Sequence, residues 1–208
     1  MKTQWKTPFG AVLLWLLALP VYAQSMLIVG DSISAAFGLE IEQGWVSLLE
    51  QRLEAENHDV EVINASVSGD TTAGGLARLA PLLERHTPNL VIIELGGNDG
   101  LRGMPPGNMQ QNLSSMVEQS QAAGADVLLF GMEIPPNYGV RYTDAFRQVF
   151  VDVSETHDIP LLPFLLEPFA EDAGLMQDDG IHPTAEAQPL ILDHAWPLIA
   201  AWLDEQED

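Results

Sequence analysis

Short apolar runs alternate with longer amphipathic stretches along most of this 208-residue chain. The runs cover residues 26–29, 60–63, 90–95, 126–130 and 159–162. They are rich in Val, Ile and Leu, the pattern of strands buried on both faces. The intervening stretches, 45–56, 72–86, 109–123 and 142–156, carry apolar residues at three- and four-residue spacing. That spacing predicts helices with one buried face. A last helical pattern spans about residues 184–203, with Pro183 placed as an early helical residue. Strands that alternate with helices predict the α/β class, a parallel sheet covered by helices on both faces. No internal repeat or long Pro/Gly-rich linker interrupts the alternation. One domain is therefore expected over residues 24–208, with a short acidic tail after about residue 204.

The first 23 residues stand outside this pattern. Lys2 and Lys6 are followed by an apolar stretch from 11 to 19 and by the small-x-small site Val21-Tyr22-Ala23. This order predicts a signal peptide cleaved after Ala23. The alternative is a retained anchor, but the apolar stretch is short for a membrane span of about 20 residues. A periplasmic or secreted protein with no membrane anchor after cleavage is the expectation.

Charge sharpens that picture. The chain has 8 Lys and Arg against 30 Asp and Glu, a formal net charge of −22. Both lysines lie in the leader, so the expected mature chain keeps six arginines against thirty acids, a net charge of −24. Such a surface repels phosphate backbones and anionic lipid, which excludes nucleic acid as a natural partner. The plain reading is good solubility; the sharper one is adaptation to a salty exterior, where counterions screen the repulsion. The absence of cysteine excludes disulfides, thiolate metal sites and a thiol nucleophile.

The chemistry is concentrated where strands end. The run 26–29 breaks into Gly30-Asp31-Ser32-Ile33-Ser34, which reads as a strand entering a tight turn. Open parallel sheets bind ligands at the carboxyl ends of their strands. Ser32, Gly69 and Asn98 each follow one of the first three predicted strands and so share one sheet edge. Ser32 is the candidate nucleophile, and a serine hydroxyl needs a base to take its proton. Asp179-Gly180-Ile181-His182-Pro183 offers that base in His182 and an orienting carboxylate in Asp179. The Ser32 N–H, the Gly69 N–H and the Asn98 side-chain amide are candidate oxyanion donors, each worth roughly 3 kcal/mol in an acyl-transfer transition state.

Each residue has a plainer alternative. Ser32 could cap a helix or fill a turn. Asp178 and Asp179 could cap the final helix while His182 merely packs. Gly96-Gly97-Asn98-Asp99 could be an ordinary turn, and Gly69 a positive-φ turn residue. The Gly-x-Ser-x-Gly nucleophile elbow is absent, since position 34 is serine. Leu101 and Met104, in the segment after Asn98, and Ile181, beside His182, are candidate substrate contacts. Gly100 and Gly103 would let that segment move; the alternative is that its apolar side chains only pack. No His-x-x-x-His or EF-hand spacing occurs, so no metal is expected.

In order, Ser32, Gly69, Asn98 and His182 resemble the four namesake residues of the SGNH hydrolases, also called GDSL esterases and lipases. The matching blocks are GDSIS at 30–34, NASVSGDT at 64–71, ELGGNDGLRG at 94–103, PNYG at 136–139 and MQDDGIHP at 176–183. They are most similar to the family's periplasmic thioesterase, lysophospholipase and arylesterase members. Ile33 replaces the leucine of the usual motif. The resemblance spans about residues 26–195 and implies a flavodoxin-like α/β/α sandwich with a five-stranded parallel sheet. It implies a Ser32–His182–Asp179 triad, an oxyanion hole from Ser32, Gly69 and Asn98, and no cofactor. The implied partners are small acyl esters, thioesters or lipids, hydrolysed through an acyl-enzyme. Competing classes are a non-catalytic α/β binding module and a carbohydrate deacetylase.

Overall fold

The computed structural model describes residues 24–207. The leader expected over 1–23 lies outside the described residues. Five strands, β1 (Gln24–Gly30), β2 (Val60–Asn64), β3 (Leu90–Glu94), β4 (Asp126–Phe130) and β5 (Leu161–Leu162), form one parallel sheet in the order β2-β1-β3-β4-β5. β3 is buried throughout and β1 from its second residue onward, as their unbroken apolar runs require. β2 is an edge strand and only partly buried.

The helices are α1 (Trp45–Ala55), α2 (Thr72–His86), the single turn α3 (Gly97–Leu101), α4 (Pro106–Ala122), α5 (Val140–His157) and α6 (Gln188–Glu207). α1 packs with α6, and α2 with α4, which packs with α5. Two helical layers thus enclose the sheet. α1 buries Trp45, Val46, Leu49 and Leu53, and α5 buries Phe146, Val149, Phe150 and Val153. Both sets lie on one helical stripe, so each helix hides its apolar face against the sheet. The Thr71 hydroxyl caps α2 by accepting the Gly74 N–H at 3.2 Å.

Most boundaries differ from the sequence expectation by one to four residues, and those of β5 and α6 have identifiable causes. β5 keeps two residues of the expected 159–162, because Pro160 has no N–H to donate. Its carbonyl still accepts the Leu129 N–H at 3.1 Å, and Ile159 is buried. α6 begins at Gln188 after a 3₁₀ turn at Ala185–Ala187, not at 184. Pro183 is therefore not a helical residue: it pairs with Met176 in an antiparallel bridge, and the Thr184 N–H donates to Leu175 O. At the other end α6 takes in Asp204 and Glu205, so the expected acidic tail is helical there.

This strand order reverses direction between β1 and β3, and such a switch point opens a crevice at the carboxyl ends of the two strands. The register aligns Gly30 with Glu94 across that crevice, and Ile28 with Asn64 on the other side.

Candidate active site

The turn after β1 carries Ser32 into the crevice. Asp31 O accepts the Ala35 N–H at 3.0 Å and Ser32 O accepts the Phe37 N–H at 3.1 Å, which coils the chain directly after the strand. Asp31 Oδ1 accepts the Ile33 N–H at 3.0 Å and stiffens the same turn.

His182 and Asp179 arrive on a hairpin. The Gln177 N–H donates to His182 O at 2.7 Å, and Gly180 turns the tip at φ +66°. The Gln177 side-chain amide donates to Phe37 O at 2.8 Å and to Pro183 O at 2.9 Å, fastening the hairpin to the Ser32 turn. Gly38 is needed at that junction: it adopts φ +78°, and a Cβ there would lie 2.4 Å from Gln177 Oε1. The Phe37 ring lies against His182, tilted by 34°, at 4.4 Å between centroids.

The result is a continuous chain of hydrogen bonds. Ser32 Oγ lies 2.9 Å from His182 Nε2, and His182 Nδ1 lies 2.6 Å from Asp179 Oδ2. Asp179 Oδ1 also accepts the Ile181 and His182 N–H groups at 2.9 and 3.0 Å. Partial burial opposes ionisation of Asp179. The backbone and ring of His182 and the Ile181 N–H outweigh it and hold the carboxyl down at about 2. An ionised Asp179 accepts a hydrogen bond from Nδ1–H, which leaves Nε2 free to accept from Ser32. Asp179 thus caps its own turn rather than the final helix.

Two further segments are bonded to the same turn. The Val67 N–H donates to Gly30 O at 3.0 Å, and Gly69 follows at φ +79°. Gly69 O accepts from Arg102 Nη2 at 2.8 Å. Asn98, in α3, donates its side-chain amide to Asp31 Oδ2 at 3.0 Å. Asp99 secures α3 to the start of α2, accepting the Thr72 N–H at 2.8 Å and the Thr72 hydroxyl at 2.6 Å. The residues Gly96 to Asp99 therefore do more than turn the chain. Ser32, Gly69, Asn98, Asp179 and His182 belong to four segments that hydrogen bonds gather at the β1/β3 edge.

Leu101 closes α3 and is half-buried, as is Met104. The Tyr138 hydroxyl donates to Leu101 O at 2.7 Å, and the Tyr142 hydroxyl to Met104 O at 2.6 Å. These two tyrosines, with Pro106, Val140 and Ala145, line an open cavity of about 500 Å³. Ile181 is exposed on the hairpin. Gly100 is not the hinge it was expected to be. It is buried in α3, where a Cβ would meet Ile134 at 2.5 Å and Phe146 at 2.7 Å. Gly103, at φ +64° with open space around it, keeps that freedom.

Sequence reasoning overlooked Asp31, Ser34, Phe37 and Glu94. A carboxylate closing the otherwise apolar strand 90–94 was the available signal, since buried acids are rare without a purpose. Among the described residues no three His, Asp or Glu side chains converge as metal ligands. No helix among them is long and apolar enough to cross a membrane.

Residues 28–189 match the GDSL-like lipase/acylhydrolase family. The chain is 54% identical over 190 residues to esterase TesA of Pseudomonas aeruginosa, covering 91% of this chain and 94% of that one. It is 42% identical over 190 residues to the thioesterase 1/protease 1/lysophospholipase L1 of Escherichia coli, covering 91% and 89%. Its fold is similar to the crystal structure of the psychrotrophic esterase EstA from Pseudoalteromonas, inhibited by monoethylphosphonate. The TM-score is 0.84 at 48% identity, covering 87% of this chain and 99% of that one. The chain belongs to the GDSL-like lipase/acylhydrolase family and is an enzyme that hydrolyses ester bonds in small-molecule substrates.

Proposed function

We propose that this enzyme is an exported serine hydrolase of broad acyl specificity, acting through Ser32, His182 and Asp179. The observation that carries the reading is the unbroken Ser32–His182–Asp179 hydrogen-bond chain. His182 takes the Ser32 proton as Oγ attacks the acyl carbonyl, and Asp179 holds the imidazole in the required tautomer and stabilises the imidazolium. The carbonyl oxygen becomes an oxyanion, received by the N–H groups of Ser32 and Gly69 and by Asn98. The leaving alcohol or thiol takes the proton from His182, which leaves an acyl-enzyme on Ser32. Water, deprotonated by His182, then releases the acid.

Within that chemistry the segment 100–105 governs the acyl chain. Leu101 and Met104 follow Asn98 in the chain and are held by Tyr138 and Tyr142, which line the cavity, and Ile181 precedes His182. Aryl esters, lysophospholipids and acyl-CoA share the acyl group this arrangement reads and differ only in the leaving group. Residues 24–208 form a single catalytic domain, and residues 1–23 a cleaved leader that delivers it to the periplasm or beyond. Labelling with an ethylphosphonate ester tests the nucleophile: intact mass should show one adduct, lost on Ser32→Ala. An adduct retained by that variant would place the reactive group elsewhere.

A further inference from the structure

Glu94 is fully buried at the end of a strand whose other residues are Leu90, Val91, Ile92 and Ile93. Its partner on β1 is Gly30. A Cβ on Gly30 would lie 2.7 Å from Glu94 Oε2 and 2.8 Å from Ser34 Oγ, so glycine there makes room for both groups. Oε2 accepts the Ser34 hydroxyl at 2.7 Å and the Asp31 N–H at 3.3 Å. Trp45 Nε1 donates to Ser34 Oγ at 3.2 Å, which leaves the Ser34 proton for Glu94. Glu94 thus holds the turn on both sides of Ser32.

The other carboxyl oxygen, Oε1, is buried with no hydrogen-bond partner among the described residues. A negative charge on an oxygen with no donor is costly, whereas a neutral O–H there costs far less. A second buried carboxyl, Asp31, stands beside it with both oxygens engaged, one by the Ile33 N–H and one by Asn98. The titratable groups facing Asp31 from neighbouring segments are His182 on the hairpin and Asp70 after Gly69. Arg78 of α2 reaches Gly30 O at 3.3 Å, but its Nε is bonded to Asp70 at 2.8 Å.

We propose that Glu94 is a positioning residue that works as a neutral carboxylic acid. It holds the Ser32 turn against β3, while Asp31 alone carries the pair's negative charge and turns it toward Asn98. Burial supports the assignment. It raises Asp31 to about 6, and it raises Glu94 well above the ordinary range, with the Asp31 charge adding to the effect.

In the unfolded chain Glu94 ionises near pH 4.3, about the value for a free side chain. The folded protein keeps the proton to higher pH, so between those two values the native state binds more protons and stability falls as pH rises. Glu94→Gln keeps an oxygen to accept from Ser34 and cannot ionise.

The proposal rests on Ser32 as the nucleophile. Its test joins melting curves of parent and Glu94→Gln from pH 4.5 to 8 with kinetics of Glu94→Ala, Glu94→Gln and Ser34→Ala on p-nitrophenyl acetate. The Gln variant should melt above the parent at pH 8, by a margin that shrinks toward pH 4.5. Glu94→Ala should lose about tenfold in kcat with KM little changed, and Glu94→Gln should recover most of it. Ser34→Ala, which removes the link without touching β3, should lose kcat severalfold. A Gln variant that melts below the parent at pH 8 and recovers on acidification would overturn the neutral acid. A parental kcat in Ser34→Ala would overturn the positioning role. The melting comparison needs no turnover, so it decides the Glu94 assignment even if Ser32→Ala remains active and the nucleophile assignment fails.

Discussion

Asp31 and Asn98 are joined by a 3.0 Å hydrogen bond from the Asn98 amide nitrogen to Asp31 Oδ2. The carboxyl group of one motif thereby fixes which end of the amide faces the Ser32 turn. One amide proton is spent on Asp31, and the second is left for the oxyanion role proposed for Asn98.

Asn98→Ala should lower kcat on the order of 10²-fold while raising KM much less, because the lost donor acts where charge develops. Asp31→Ala leaves every proposed donor in place and frees the amide to rotate, so a loss of about tenfold in kcat is expected. Steady-state kinetics on a p-nitrophenyl ester would show both. An Asn98→Ala enzyme with parental kcat and a raised KM would make Asn98 a residue of ground-state binding.

Acyl-chain preference should follow the segment held by Tyr138 and Tyr142. Leu101→Ala and Met104→Ala should move the optimum chain length in a series of p-nitrophenyl esters and spare the acetyl ester. Equal loss at every chain length would mean that these side chains only support the fold.

Much of the fold was legible because its elements are local. Apolar runs and three- and four-residue spacing located the strands and all helices but α3 to within a few residues. The run at 159–162 was shortened by Pro160, and the start of α6 was displaced by the hairpin that holds Thr184. Neither shows in hydropathy, because one depends on a missing N–H and the other on pairing of Thr184 with Leu175, nine residues earlier. Ser32, His182 and Asp179 were legible as motifs, but their approach depends on Gln177 reaching Phe37. Glu94, Asp31 and Ser34 were overlooked because their meaning lies in contacts 60 residues or more apart.

Salt should stabilise the protein. Thirty acids face six arginines in residues 24–208, and three of those arginines, Arg52, Arg78 and Arg147, are bound in ion pairs. Folding gathers this charge, and screening shortens from about 10 Å at 0.1 M to about 3 Å at 1 M salt. The melting temperature at fixed pH should rise from low to molar NaCl. A flat or falling midpoint would leave the acidic surface as an aid to solubility only.

The central claim is that Ser32, activated by His182 and Asp179, performs the hydrolysis. Its most direct measurement is steady-state p-nitrophenyl acetate hydrolysis by the parent and by Ser32→Ala, with circular dichroism and melting curves showing that both are folded. The Ser32 side chain sits in a turn and contributes little packing, so the variant should melt near the parent. Its kcat should fall on the order of 10⁴-fold or more. A folded Ser32→Ala protein that turns over at the parental rate would contradict the account.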